Sequence, residues 1–249
     1  MKTLRQHIDE ALKIGKNLSE WSAYSCQPKT YRELEQIVND RIEKEGPKCD
    51  LNDIDVSLIT DMSELFYGSK FTGDISGWDV SNVKTMKSMF SYSEFNQDIL
   101  KWDVSSVEDM RYMFRSSKFN GNLSKWNVYK VKYMDYMFDG TSFNGDISKW
   151  NVSNVEDMSS MFSNSDFNGN ISKWNTSKVE SMSYMFYESK FNQDISKWNV
   201  SKVEHMSCMF MNSKFNQDIS SWNIDKACYV YDMFTKCPIK DEYKPKLPR

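Results

Sequence analysis

Few side chains in this sequence are arranged for catalysis. The only histidines are His7 and His205, and Cys208 follows His205 by three residues without an acidic residue in the pattern to orient the imidazole. The five cysteines form no CxxC pair and their number is odd, which argues against a disulfide framework and against a zinc site. We therefore predict free thiols, no cofactor and no enzymatic activity.

One row of carboxylates has the regular spacing that a calcium site in a repeat protein would need. Its members are Asp74, Asp98, Asp146, Asp194 and Asp218. Asn122 and Asn170 interrupt the row, and the glycine-rich nonapeptide of calcium-binding repeats is missing. We therefore predict that these side chains cap turns and bind no metal.

The elements that position these residues come from a repeat of 24 residues. Seven of the eight tryptophans mark its period: Trp78, Trp102, Trp126, Trp150, Trp174, Trp198 and Trp222. Met-Phe pairs recur at the same interval from Met89-Phe90 to Met233-Phe234, and a second phenylalanine row runs from Phe71 to Phe215. This strict interval predicts that successive copies stack and place each row in the same buried environment.

Two polar rows share the period. An asparagine row runs from Asn96 to Asn216, and a serine or threonine row runs from Ser69 to Ser213. Both residue types can satisfy backbone groups through their side chains, so we predict structural ladders at turns.

One copy, FNGDISKWNVSNVEDMSSMFSNSD, contains two apolar spacings. Trp150 and Val152 lie two residues apart, which is the alternation of a short strand with one buried face. Val155, Met158 and Met161 follow at intervals of three, as on one or two helical turns. We predict a parallel β solenoid with short helical segments, in which each copy buries its apolar face against the next.

The repeat resembles that of a known family. Its pattern, F-N-x-D-I-S-x-W-N/D-V-S-x-V-x-x-M-x-x-M-F, is similar to the repeat of the BspA-like leucine-rich-repeat surface proteins, also called the mycoplasmal lipoprotein-type repeat, from about Asp50 to Phe234. The resemblance implies a right-handed leucine-rich-repeat-like solenoid, a surface or interaction role and no catalytic residues. Relatives without an export signal in phage and large-virus genomes, which the resemblance also suggests, leave a virion-associated role open.

We divide the chain into three parts. Residues 1–54 contain no copy of the repeat and are predicted to form an N-terminal helical cap. Residues 55–234 hold about seven repeats, and residues 235–249 form a C-terminal cap or tail. A cap is expected because an open stack exposes apolar surface at its ends.

Two helices are predicted within the N-terminal cap. The first follows the apolar stripe of Leu4, Ile8 and Leu12. The second begins at the capping box Thr30-Tyr-Arg-Glu33 and ends at Gly46-Pro47.

The residues that flank the inward tryptophan and valine are predicted to project from an exposed strand face, which we call the lysine face. Its candidate binding residues are Lys101, Lys125, Lys149, Lys173, Lys197, Asn127, Asn151, Asn175, Asn199 and Tyr129. Stacked lysines repel one another, and a negative partner would relieve that repulsion. The alternative is that the lysines are solvated and only prevent association. With one tyrosine for stacking, this face favours a protein partner over nucleic acid or carbohydrate.

Net charge and hydropathy limit the partners and the locations that we expect for the protein. The formal net charge of −3 gives no global attraction to nucleic acid or to an anionic membrane. The N-terminal residues lack the apolar core of a signal peptide, and no stretch approaches the ~20 apolar residues that cross a bilayer. We expect a cytoplasmic or virion-associated location, with surface display only by a route that the sequence does not show.

Two functions are compatible with these observations. The first is a non-catalytic protein-binding or adhesin-like repeat module that uses the lysine face. The second is a virion-associated or scaffold protein that packs through its ends or its N-terminal helices. The ligand and the oligomeric state are left open.

Overall fold

The computed structural model describes residues 24–227 and 229–247. These residues contain one α-helix, α1, at Tyr31–Glu45, and one short 3-10 helix at Asp241–Tyr243. The described residues include no β-strand, and the rest of their backbone consists of turns, bends and isolated parallel bridges. The first predicted helix, on residues 4–12, lies outside the described residues.

Helix α1 begins and ends where the sequence predicts. Thr30 is its N-cap, and the threonine hydroxyl accepts a hydrogen bond from the N–H of Glu33 at 3.3 Å. The Glu33 carboxylate in turn accepts a hydrogen bond from the N–H of Lys29 at 2.7 Å. Gly46 ends the helix with a φ of 89°, in the region that favours glycine.

The backbone around each tryptophan forms turns instead of a strand. The N–H of Trp150 donates to the carbonyl of Ile147, and Val155 and Val152 form the same kind of turn. These amides are satisfied within their own copy, so they cannot pair with the next copy as strand amides would. Neighbouring copies are joined by single parallel bridges: Asp61 to Thr85, Thr85 to Asp109, Asp109 to Tyr133, Tyr133 to Asp157, Asp157 to Ser181, Ser181 to His205 and His205 to Tyr229. The predicted right-handed leucine-rich-repeat-like parallel β solenoid is therefore wrong.

A second run of turns occupies the part of each copy where the sequence predicts helical turns. We call it the turn segment, and it spans residues 61–68, 85–92, 109–116, 133–140, 157–164, 181–188, 205–212 and 229–236. Two residues in each turn segment have positive φ, such as Ser88 at 55° and Tyr92 at 57°. A helix cannot include them, because it needs a φ of about −60° at every residue. The predicted short helical segments are therefore wrong as well.

Alternate N–H groups of each turn segment point toward the next copy. Those of Met86, Ser88, Phe90 and Tyr92 donate to carbonyls of the following turn segment over 2.7–3.0 Å. The same pattern joins every neighbouring pair from residues 61–68 to residues 229–236. Each accepting carbonyl shares its peptide group with the next donating N–H, so the peptides line up in columns, as they do along an α-helix. These columns hold the copies in register.

The tryptophans point into the core, as the sequence predicts. The seven in the described residues have exposed fractions of 3–5%. Each indole N–H donates to a carbonyl 27 residues earlier, as Trp150 does to Leu123 at 3.0 Å. Equivalent phenylalanine rings of successive copies stack, with 5.8 Å between the ring centroids of Phe138 and Phe162. Aromatic burial therefore runs through the whole stack.

Polar side chains satisfy backbone groups along the stack, as predicted. In the asparagine row each Oδ1 from Asn96 to Asn192 accepts the N–H of the next asparagine, as Asn144 does from Asn168 at 2.9 Å, whereas the Oδ1 of Asn216, at the end of the row, has no hydrogen-bond partner among the described residues. The Ser165 hydroxyl donates to a carbonyl three residues earlier at 2.9 Å. In the aspartate row, Asp146 accepts the N–H of Ser148 at 2.9 Å, and hydrogen bonds from Ser148 hold the pKa of Asp146 below its usual value. The aspartate row therefore caps turns.

A different segment packs on each end of the stack. Leu34 and Val38 of α1 are fully buried in the core that the repeats share. At the other end Ile239 is 5% exposed, and the carbonyl of Tyr243 accepts the N–H of Ile219 at 3.0 Å. Both segments bury apolar surface that a bare terminal copy would expose.

Candidate interaction surface

All ten candidate residues of the lysine face are exposed, although no strand carries them. The asparagine side chains also serve the backbone, because each Oδ1 accepts the N–H two residues later, as Asn151 does from Ser153 at 3.2 Å. Tyr129 is 51% exposed and is the single aromatic residue among the ten. The lysine face therefore presents flexible ammonium groups and amides that already hold turns. Its role in binding stays a prediction.

A different surface appears where the turn segments depart from the repeat. The position of Arg111 is serine in three later copies, at residues 159, 183 and 207. We give the name tyrosine-arginine patch to the aromatic and basic residues that gather there: Tyr92, Arg111, Tyr112, Arg115, Tyr133 and Tyr136. They lie on three consecutive turn segments, which the peptide columns hold side by side.

Arg115 lies at the centre of this patch. Its guanidinium carbon is 5.4–5.7 Å from the ring centroids of Tyr92, Tyr112 and Tyr136. The rings of Tyr112 and Tyr136 stack on each other at 4.8 Å. Arg115 Nε donates to Asp139 Oδ2 at 3.0 Å. Cation–π contacts and an ion pair therefore fix one side chain from several directions.

Arg111 is held in a similar way. Its Nε and Nη2 atoms donate to the carboxylate of Asp109, with 2.6 Å between Nη2 and Oδ2. The guanidinium carbon lies 5.2 Å from the ring centroid of Tyr133. Planar pairing and ring contact order a side chain that would otherwise sample many rotamers.

The turn segment that carries Tyr133 and Tyr136 also contains a buried carboxylate with a raised pKa. Burial, helped by the negative charge of Asp157, raises the pKa of Asp135 from 3.8 to about 6. The positive charge of Arg111 lowers the pKa of Asp135, and the negative charge of Asp109 raises it by a smaller amount. Asp135 is therefore less stable as an anion here than in the unfolded chain.

This shift predicts how the substitution Asp135→Asn changes stability. A raised folded-state pKa means that the folded protein binds the proton more tightly than the unfolded chain does. The resulting stability is present below about pH 4 and is lost as the pH rises through about 6. Asp135→Asn is therefore expected to raise the free energy of unfolding by about 1–2 kcal/mol at pH 8 and by little at pH 4. Urea unfolding at both values measures the difference.

The control for this experiment is Asp139→Asn. It breaks the ion pair with Arg115 and is expected to destabilise the protein at pH 8. A loss of stability in both variants at pH 8 would show that Asp135 is not strained as an anion.

His205 and Cys208, which the sequence analysis considered for catalysis, are packed against another side chain or buried. The ring of His205 stacks on Tyr229 at 4.6 Å, and Cys208 is 8% exposed. The free thiols in the described residues are Cys26, Cys49, Cys208 and Cys237. Cys228 lies outside those residues. Within the same residues, no group of three or more His, Cys, Asp or Glu side chains is placed to hold a metal ion.

Neither helix in the described part of the chain has the length and apolarity needed to cross a bilayer.

The stacked copies define the class of the molecule as a repeat protein. The chain belongs to the family described as "Mycoplasma protein of unknown function, DUF285", whose model matches residues 33–145 and 134–244. The two matches together span α1 from residue 33 onward and all of the repeats. No curated protein and no solved structure matches the chain.

Proposed function

We propose that this chain is a non-catalytic protein-binding module of the BspA-like surface-protein type, with the tyrosine-arginine patch as its contact surface. The break in the repeat is the observation that carries the proposal. Most rows are uniform because stacking requires it, whereas the outer positions of the turn segments vary from copy to copy, and between residues 85 and 140 they bring aromatic and basic residues together. Variation confined to one outer surface is what a binding site on a repeat scaffold needs.

The chemistry of the patch supports a protein partner. Tyrosine and arginine are enriched at the centres of protein interfaces, because they supply large contact area together with hydrogen bonds. Tyr92 is 46% exposed and Tyr133 is 36% exposed, so both rings are open to a partner. Cation–π contacts with Arg115 for Tyr92 and with Arg111 for Tyr133 already restrict these rings, which lowers the entropy lost on binding.

The lysine face is the less favourable surface by the same reasoning. Lysine is depleted at interfaces, and ordering each long side chain costs entropy. The asparagines beside the lysines already accept backbone hydrogen bonds. A scaffold that packs through its ends receives no specific support either, because α1 and the residues around Ile239 already cover the ends.

Affinity capture from the native source tests the proposal with three baits. The first is the wild-type chain, and the second is the patch variant Tyr133→Ala with Arg115→Gln and Asp139→Asn. The third carries Lys101→Gln, Lys125→Gln and Lys149→Gln on the lysine face. The wild-type and lysine-face baits are expected to retain the same polypeptides, and the patch variant is expected to lose them.

Thermal melting of all three baits checks that each is folded. If the lysine-face bait loses the captured polypeptides and the patch variant retains them, the contact surface is the lysine face. Identical capture by all three folded baits would contradict both assignments.

A further inference from the structure

The hydrogen bonds of Arg115 leave part of its guanidinium group unused. Nε donates to Asp139, and the described residues provide no hydrogen-bond acceptor for either Nη atom. The edge formed by Nη1 and Nη2 can donate two parallel hydrogen bonds to one carboxylate. The side chain is 35% exposed, so this edge can be reached from solvent.

The positive and negative side chains of the patch differ in how exposed they are. The arginine side chains are 35–37% exposed, whereas those of their partners Asp139 and Asp109 are 11% and 16% exposed. Asp135 is buried with a residue exposure of 9%. The carboxylates therefore lie beneath, and the surface itself presents guanidinium groups and tyrosine rings.

We propose that the tyrosine-arginine patch selects its protein partner through acidic side chains, and that Arg115 binds one of their carboxylates. The inference rests on the proposed function, because it names the chemistry of the partner at the same surface. Arg111, on the same turn segment, contributes a second guanidinium group. The surrounding tyrosines contribute hydroxyl donors and exclude water from the ion pair.

An acidic protein segment fits this surface better than a nucleic acid does. A phosphate backbone needs several unpaired cations in a row, whereas each of the two arginines here already forms an ion pair with one aspartate. Tyr112 and Tyr136 stack on each other, which removes the facing sides of these rings from base stacking.

A hexaglutamate peptide is a suitable probe, and NMR titration of the full chain is the measurement. The expected result is a shift of the Arg115 side-chain N–H signals together with the ring signals of the patch tyrosines. Hexalysine and inorganic phosphate serve as comparison probes and are expected to produce no such shift at equal concentration.

Two matched variants separate the guanidinium group from the overall charge. Arg115→Gln with Asp139→Asn removes the ion pair without changing the net charge, and it does not leave the Asp139 carboxylate without its partner. It is expected to weaken hexaglutamate binding about tenfold or more, the ratio set by one lost charge-assisted hydrogen bond. Lys101→Gln with Lys125→Gln lowers the positive charge on the lysine face and is expected to leave the affinity within about twofold.

The outcomes separate this inference from the proposed function. If hexaglutamate does not bind while capture from the native source still depends on the patch, the acidic partner is wrong and the binding function stands. Binding that survives the Arg115 variant and disappears with the lysine variant would overturn the inference by placing the acidic contact elsewhere. Equal shifts with phosphate would overturn it by showing a general anion site.

Discussion

Replacing Trp150 with alanine is expected to lower the free energy of unfolding by ~3–5 kcal/mol. The indole is 4% exposed, its ring centroid lies 6.3 Å from that of Phe138, and its N–H donates to Leu123. Alanine would leave a cavity that the neighbouring rings cannot fill without breaking their own stacking. Because each copy contacts only its neighbours, the loss should also uncouple the copies on either side and broaden the unfolding transition.

Urea unfolding followed by circular dichroism measures both effects. Trp150→Phe is the matched control, since it keeps a ring and removes the hydrogen bond, and it is expected to cost about half as much. Trp222→Ala, in the last tryptophan-bearing copy, should broaden the transition less. A Trp150→Ala protein with wild-type unfolding would contradict the buried role, especially if the wild-type tryptophan emission matched that of indole in water.

The rows of the repeat were predictable because stacking imposes identical environments. Burial of Trp150, the ladder through Asn144 and the turn cap at Asp146 each follow from a residue type recurring at one interval. The N-cap at Thr30 follows from local chemistry alone. These features depend on which residues recur and on side-chain hydrogen bonding, so the sequence contains enough information to place them.

The backbone conformation was not predictable in the same way. Apolar residues two apart also occur at successive turns, so the spacing of Trp150 and Val152 does not require a strand. The strongest signal for a left-handed residue is glycine, yet the turn segments place Ser88 and Tyr92 there. The interlocking hydrogen bonds between copies compensate the cost of ~1–2 kcal/mol per such residue. That compensation is a tertiary effect, which a local pattern does not reveal.

The tyrosine-arginine patch was missed for a related reason. Arg115 meets Tyr92, Tyr136 and Asp139, which belong to the copies before and after its own. The lysine face attracts attention because its rows are regular, whereas regularity in a repeat protein mainly reflects the scaffold. The useful signal was the departure from a row, and Arg111, at a position that is serine in three later copies, provided it.

Replacing Gly73 with alanine is expected to cost about 3 kcal/mol and to loosen the N-terminal end of the stack. A β-carbon at this position would overlap the carbonyl oxygen of Cys49 and would lie 2.7 Å from the ring of Phe71. A backbone carbonyl cannot rotate away as a side chain can. The copy would have to separate from residues 47–50, whose contacts include a hydrogen bond of 2.7 Å from the Thr72 N–H to the Pro47 carbonyl.

The matched control is Gly121→Ala at the same position of a later copy. There the nearest atom to a new β-carbon is a ring carbon of Phe119 at 2.7 Å, and the ring can shift. Glutamine occupies this position at residues 97, 193 and 217, so the repeat accommodates a side chain where only the ring is close. Gly121→Ala is therefore expected to cost less than about 1 kcal/mol. Hydrogen exchange should show faster exchange at the Leu51 and Thr72 amides in Gly73→Ala alone, because these amides join residues 47–51 to the first copy of the repeat. Equal unfolding energies and equal exchange in the two variants would show that the first copy is no more tightly joined than the others.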